Sequence, residues 1–314
     1  MLNRRHLRIK VMQAMYAFKH DSEVSLDEQS KFLTTSMSGM YNLYLLMLSL
    51  MVEVQNKALD HLTKSQKKHL ATEQDKNPNK KFVANSILIG LKKNSLFNST
   101  LSERKLDNWN LDNEYVELIF KALVNSHCYK KYLSTDHSSF KEDQEFLVEF
   151  YKTIIAENEK LYDYLEDKNI TWVDDFPVVN TTLVKLIRKA KPTDSEHHFL
   201  PKLFKDIEDK QFAIDLLAKT YKNLEVYDTE ISEKTQNWDK ERITNIDLVL
   251  LQLAICELQE FPSIPVKVVI NEYLEVAKEY STPKSSVFIN GILDKIVKEY
   301  TDKGTLNKTG RGLL

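Results

Sequence analysis

Along most of this chain, apolar residues recur at intervals of three and four, the spacing that lines one face of an α-helix. At about 100° per residue, Leu7, Val11, Ala14 and Phe18 fall within one narrow stripe near the N terminus. Arg4, Arg5, Arg8, Met12, Tyr16 and Lys19 lie on the adjoining side of the same helix. The first helix is therefore expected to pack one flank and to present guanidinium groups and a ring from its neighbour. Ser25 and Glu28 form a capping-box pattern, opening a second helix that should reach about His61. Its apolar run, residues 40–54, is shorter than the roughly 20 residues a membrane span needs and reads as a buried helix. A lysine-rich link over 64–81 turns at Asn77-Pro78-Asn79. Further helices are expected over 82–93, 111–133, 139–167 and 171–190, before residues 191–201 break the pattern. Beyond the break the periodicity predicts helices over 206–233 and 245–258, one starting at Ser263-Ile264-Pro265, and a last one from near Pro283. Residues 245–258 are apolar on nearly every side, as a central helix wrapped by others would be. The tail from Asp302 reads as loose.

Composition agrees with an all-α fold. Six glycines and seven prolines in 314 residues are too few for a parallel-sheet enzyme with phosphate loops and many tight turns. A chain of this length buries roughly three quarters of its unfolded surface, enough to fold without metals or disulfides. Net charge is −2, so any contact with nucleic acid must come from a local patch. Cys128 and Cys256 lack paired spacing and read as reduced, buried thiols of a cytoplasmic protein, with no membrane association.

The chain carries no P-loop, dinucleotide fingerprint, nucleophile elbow or HExxH pair. His197 and His198 are adjacent and have no partner at ligand spacing, so they are expected to be solvated and metal-free. Acidic pairs such as Asp174-Asp175 and Glu142-Asp143 read as solvated helix charge. No catalytic residue and no cofactor is assigned.

Two stretches, taken together, resemble the NusB family of bacterial transcription antitermination factors. One is Arg4-Arg5-His6-Leu7-Arg8 leading to Gln13-Ala14-Met15-Tyr16-Ala17, similar to that family's arginine-rich opening helix. The other is more specific. It runs from Ile246-Asp247 through Ala254-Ile255-Cys256-Glu257-Leu258 and Ile264-Pro265-Val266-Lys267 to Ile270-Asn271-Glu272, Ala277-Lys278 and Phe288-Ile289-Asn290-Gly291. The resemblance covers about the first twenty residues and the last hundred. It implies NusB-like helical bundles with an additional helical insertion: an N-terminal part over 1–205, inserted helices over 21–205, and a C-terminal NusB-like half over 206–314.

The resemblance also implies a function. It points to pairing with NusE, a small-subunit ribosomal protein, on boxA-type single-stranded RNA, within an RNA polymerase antitermination complex. Arg4, Arg5, Arg8 and Tyr16 fall on the family's RNA-facing helix, and Asp247 near its RNA and partner surface, where a helix-start acid favoured by the macrodipole is the competing reading. Asn271, Glu272, Asn290 and Gly291 are hallmarks with implied structural roles, Asn290 bonding backbone and Gly291 permitting close helix approach. Two alternatives stand beside this reading. A NusB-like domain of a ribosomal RNA-modifying system would need a catalytic fold after Tyr300, and a helical adaptor would bind protein without touching RNA.

Overall fold

The computed structural model describes residues 1–19, 23–67, 72–235 and 243–309. Among them the chain is all-helical, as the periodicity predicts, apart from an isolated parallel bridge between Leu2 and Phe204. The helices are α1 Arg4–Ala17, α2 Leu26–Gln66, α3 Glu73–Lys76, α4 Ser86–Lys93, α5 Ser95–Glu103, α6 Asn108–Leu111, α7 Asn113–Asn125 and α8 His127–Tyr132. They continue with α9 Phe140–Phe150, α10 Glu159–Lys168, α11 Phe176–Lys189, α12 Ile207–Lys222, α13 Leu224–Lys234, α14 Asn245–Glu260, α15 Val266–Tyr280 and α16 Ser285–Asp302. A π-helical turn, Tyr151–Ile155, extends α9, and a 3-10 turn, Ile170–Asp175, leads into α11.

Three predicted helices are each two. The segment 111–133 breaks at Ser126, 139–167 at Asn158, and 206–233 at Asn223. Ser126 and Asn158 each accept a backbone N–H of the following turn. Such a cap satisfies the new helix start, so the axis turns without interrupting the apolar spacing. Residues 68–71 of the predicted link and 310–314 of the predicted tail lie outside the described residues.

The chain forms two compact units, which are not consecutive in sequence. One holds residues 38–203 with Met1; the other holds residues 2–37 with 204–314. The first helix belongs to the same unit as residues 204–314.

In the unit of residues 2–37 and 204–314, α14 is central as predicted, packed by α1, α12, α13, α15 and α16. Every residue from Val249 to Leu258 is buried. The tail is not loose up to Thr309. Lys308 Nζ donates to the carbonyls of Glu257 and Phe261 at 3.0 Å each, and Thr309 N donates to Pro262 at 2.9 Å. The end of α14 leaves carbonyls without intrahelical donors, and the tail supplies them.

In the unit of residues 38–203, the core is built on α2. This helix is long and apolar enough to cross a membrane, but 78% of its most apolar window is buried inside the protein. Trp172 Nε1 donates to the Gly39 carbonyl at 2.9 Å, and a Cβ at Gly39 would meet the same indole nitrogen at 3.3 Å, so the missing side chain permits this approach. Two expectations of solvated charge are corrected here. Asp143 is buried, accepting from Ser86 N and Ser86 Oγ at 2.7 Å each and from the Tyr132 and Ser138 hydroxyls. Its neighbour Glu142 pairs with the buried ammonium of Lys81. His198 is likewise held, 3.0 Å from Asp194 and 2.9 Å from the Leu186 carbonyl. Both cysteines are free and buried, as expected.

Candidate nucleic-acid interface

The α1 helix starts at Asn3, whose side chain accepts His6 N at 3.0 Å while His6 Nδ1 lies 3.5 Å from Asn3 N as its acceptor. Burial, then the charges of Arg5 and Lys10, hold the His6 imidazole below its ordinary pKa, which keeps the ring a neutral acceptor in this cap. Leu7, Val11 and Ala14 are buried as the stripe predicts. Burial extends further, to Arg8, Ile9, Lys10, Met12 and Met15, because α12, α14 and α15 all pack on this helix.

The three arginines therefore have different environments. Arg8 is only 2% exposed. Its guanidinium forks onto Glu257, with Nε donating to Oε2 at 2.9 Å and Nη2 donating to Oε1. Tyr273 Oη donates to the same carboxylate at 2.9 Å, and Nη1 lies 3.6 Å from Glu272. The rings of Phe212 and Tyr273 flank the guanidinium at 5.2 and 5.9 Å. Burial alone would lower the pKa of Arg8, but the hydrogen bonds and charge of Glu257 outweigh it and raise it. Against the expectation of a presented arginine, Arg8 is enclosed. One signal was in the sequence: Glu257 sits among the apolar residues of α14, and a carboxylate buried there must be met by a cation or by hydrogen-bond donors.

Arg4 and Arg5 remain at the surface, their side chains 40% and 42% exposed. Arg4 Nε donates to Asp209 Oδ1 at 3.0 Å, and its guanidinium lies 5.1 Å from the Phe212 ring. Arg5 donates from Nε and Nη2 to the two oxygens of Glu272, both at 2.9 Å. That hydrogen bonding holds the Glu272 carboxyl below its ordinary pKa and raises Arg5. Arg4, Arg5 and His6 border a cleft of about 560 Å³, closed on its other side by Ser263, Pro265 and Val268. Tyr16, further along α1, is 47% exposed.

The remaining hallmark positions divide. Asp247 is 1% exposed and caps α14: Asp247 N donates to Thr244 Oγ1 and Thr244 N to Asp247 Oδ2, both at 3.1 Å. Ser281 Oγ donates to it at 2.8 Å. This is the helix-start reading, and it takes the carboxylate away from any surface. Asn271 is exposed on α15. Asn290 donates to the Asp294 side chain at 2.9 Å, one turn along α16, rather than to backbone. A Cβ at Gly291 would meet nothing within 4 Å, so close helix approach does not explain that glycine. Among the described residues no cluster of three or more His, Cys, Asp or Glu could hold a metal.

These helices define an all-α protein with a partly open arginine edge. Its relatives place it more narrowly. A NusB family profile matches residues 178–298. The chain is 44% identical over 112 residues to the transcription antitermination protein NusB of Salinibacter ruber, a stretch covering 36% of this chain and 70% of that protein. It is 36% identical over 124 residues to NusB of Citrifermentans bemidjiense, covering 40% and 82%. A crystal form of T. maritima NusB is 32% identical, covering 38% of this chain and 84% of that one, with a TM-score of 0.30. The chain belongs to the NusB family of transcription antitermination proteins. The profile leaves residues 1–177 and 299–314 unmatched, and the stretches shared with these two relatives cover 36% and 40% of this chain.

Proposed function

We propose that this chain is a non-enzymatic, cytoplasmic RNA-binding factor that acts with NusE. Together they bind boxA-type single-stranded RNA of nascent ribosomal RNA transcripts, and the pair joins the RNA polymerase antitermination complex. The observation that carries this reading is the half-exposed Arg5 guanidinium on the same helix as the exposed Tyr16 ring. Their eleven-residue spacing sets them about 20° apart around α1 and about 16 Å apart along it. An arginine fork donates to phosphate oxygens in place of a carboxylate, and a tyrosine face stacks on an unpaired base. Arg4 adds a second cation at the cleft. Arg8 supports from below, holding α1 against α14 through Glu257 rather than touching RNA.

A gel-shift titration of the chain with NusE on boxA-like RNA tests this. Arg5→Ala should weaken binding by about 1–3 kcal/mol and flatten the log-affinity against log-salt slope by about 0.7, one phosphate contact on a single strand. Tyr16→Ala should lose about 1–3 kcal/mol with the slope unchanged, since stacking releases few ions. Wild-type affinity in both variants would remove the reading.

A further inference from the structure

The unit of residues 38–203 carries a groove of about 550 Å³ between α11 and the π-helical turn Tyr151–Ile155. Its floor is apolar, with Ala156 on one side and Val184 on the other. Its rim is basic: Lys152 comes from the π-turn, and Lys185, Arg188 and Lys189 come from the last turns of α11. All four cations are exposed, and none is ion-paired with a described residue. Glu157 is the lone acid among the described lining residues.

Helix-terminal charge explains only part of this. Cations in the last turn of α11 complement its dipole, which accounts for Arg188 and Lys189. It does not account for Lys185 one turn earlier or for Lys152 on a separate element facing the same groove. The π-turn adds a local irregularity of a kind that recurs at functional sites. The groove is open along its length, whereas small-molecule pockets enclose most of their ligand. Single-stranded RNA binds on exposed rings, and the one aromatic side chain lining this groove, Tyr151, is 0% exposed with its hydroxyl donated to Asn180.

The geometry points to a docking groove for an acidic amphipathic helix of a partner protein. Apolar side chains spaced i, i+3, i+4 on such a helix would fill the floor, while flanking carboxylates meet the lysine and arginine rim. This surface is independent of the RNA reading for α1.

The probe is a fluorescein-labelled synthetic peptide of about 18 residues, five helical turns of leucine and glutamate with the leucines on one face. Fluorescence anisotropy against the full chain should show binding that weakens with salt. The combined change Lys185→Glu, Arg188→Glu and Lys189→Glu should weaken it by about tenfold or more through like-charge repulsion. Lys152→Glu, on the other wall, should weaken it severalfold with a wild-type circular dichroism melt. The triple variant, which loses cations that complement the α11 dipole, should melt somewhat lower but keep the wild-type spectrum at the assay temperature, because the altered side chains are exposed. Equal binding by the triple variant, or equal binding of a scrambled peptide with no apolar face, overturns the proposal. So does a single-stranded RNA oligonucleotide whose binding, rather than the peptide's, is lost in the triple variant.

Discussion

Beneath α1, in the unit of residues 2–37 and 204–314, the buried guanidinium of Arg8 is balanced by opposite charge, the carboxylate of Glu257, which Tyr273 completes. In the unit of residues 38–203, the buried Asp143 is balanced by neutral donors, a backbone N–H and the hydroxyls of Ser86, Tyr132 and Ser138. The two solutions have different consequences. An ion pair pins two helices at one register, because a guanidinium fork and a carboxylate match in only one orientation. Hydroxyls rotate to suit, so the second network tolerates small shifts of its helices. The rigid solution lies directly under the helix whose outer edge carries Arg4, Arg5 and Tyr16.

The largest effect should come from breaking the pinned pair. Arg8→Ala strands the Glu257 carboxylate in the core and should cost about 3–5 kcal/mol in urea unfolding. A loss below about 1 kcal/mol would show that water reaches the pair and that the contrast between the two sites is false. Asp143→Ala removes the acceptor of a neutral network and should cost less, about 1–3 kcal/mol. A loss matching that of Arg8→Ala would erase the difference.

Glu272→Gln sharpens the comparison at the surface. Arg5–Glu272 is a half-exposed pair, so the change should alter stability by only about 0–1 kcal/mol. It should nevertheless tighten RNA binding and steepen the salt slope, because phosphate no longer competes with a carboxylate for Arg5. Weaker binding would mean that Glu272 aims Arg5 at RNA instead of competing for it.

The smallest effect concerns pH. The His6 pKa is lowered in the folded state, so the unfolded chain takes up the proton first as pH falls through the unfolded value near ~6.5. Stability should therefore drop with acidification below that point, and His6→Asn, which cannot titrate, should flatten the drop. An unchanged pH profile in that variant would place the acid sensitivity elsewhere.

Much of the architecture was legible in the chain. The capping box of Ser25 and Glu28 forms as its spacing predicts, with Ser25 N donating to Glu28 Oε2 at 2.8 Å. Residues 245–258 are central because an apolar helix with no polar face has nowhere else to go. The breaks at Ser126, Asn158 and Asn223 were missed. At the first two a cap residue changes direction without changing composition, and at Asn223 the side chain bonds back to the Lys219 carbonyl and caps nothing. The arginines of α1 were legible as a group but not individually. Periodicity places Arg4, Arg5 and Arg8 on one edge, yet α12 and α14 close over Arg8 alone.

What the order of residues determined by itself was the all-helical class, the central helix, the family and the helix that carries arginine and tyrosine, because these depend on short-range spacing. Which guanidinium stays at the surface, that Asp247 and Asp143 are buried, and that the first helix packs with α12, α14 and α15 were decided only in three dimensions. A charged side chain's partner lies wherever packing delivers it, here 249 residues away for Arg8 and Glu257, and no local pattern records that distance.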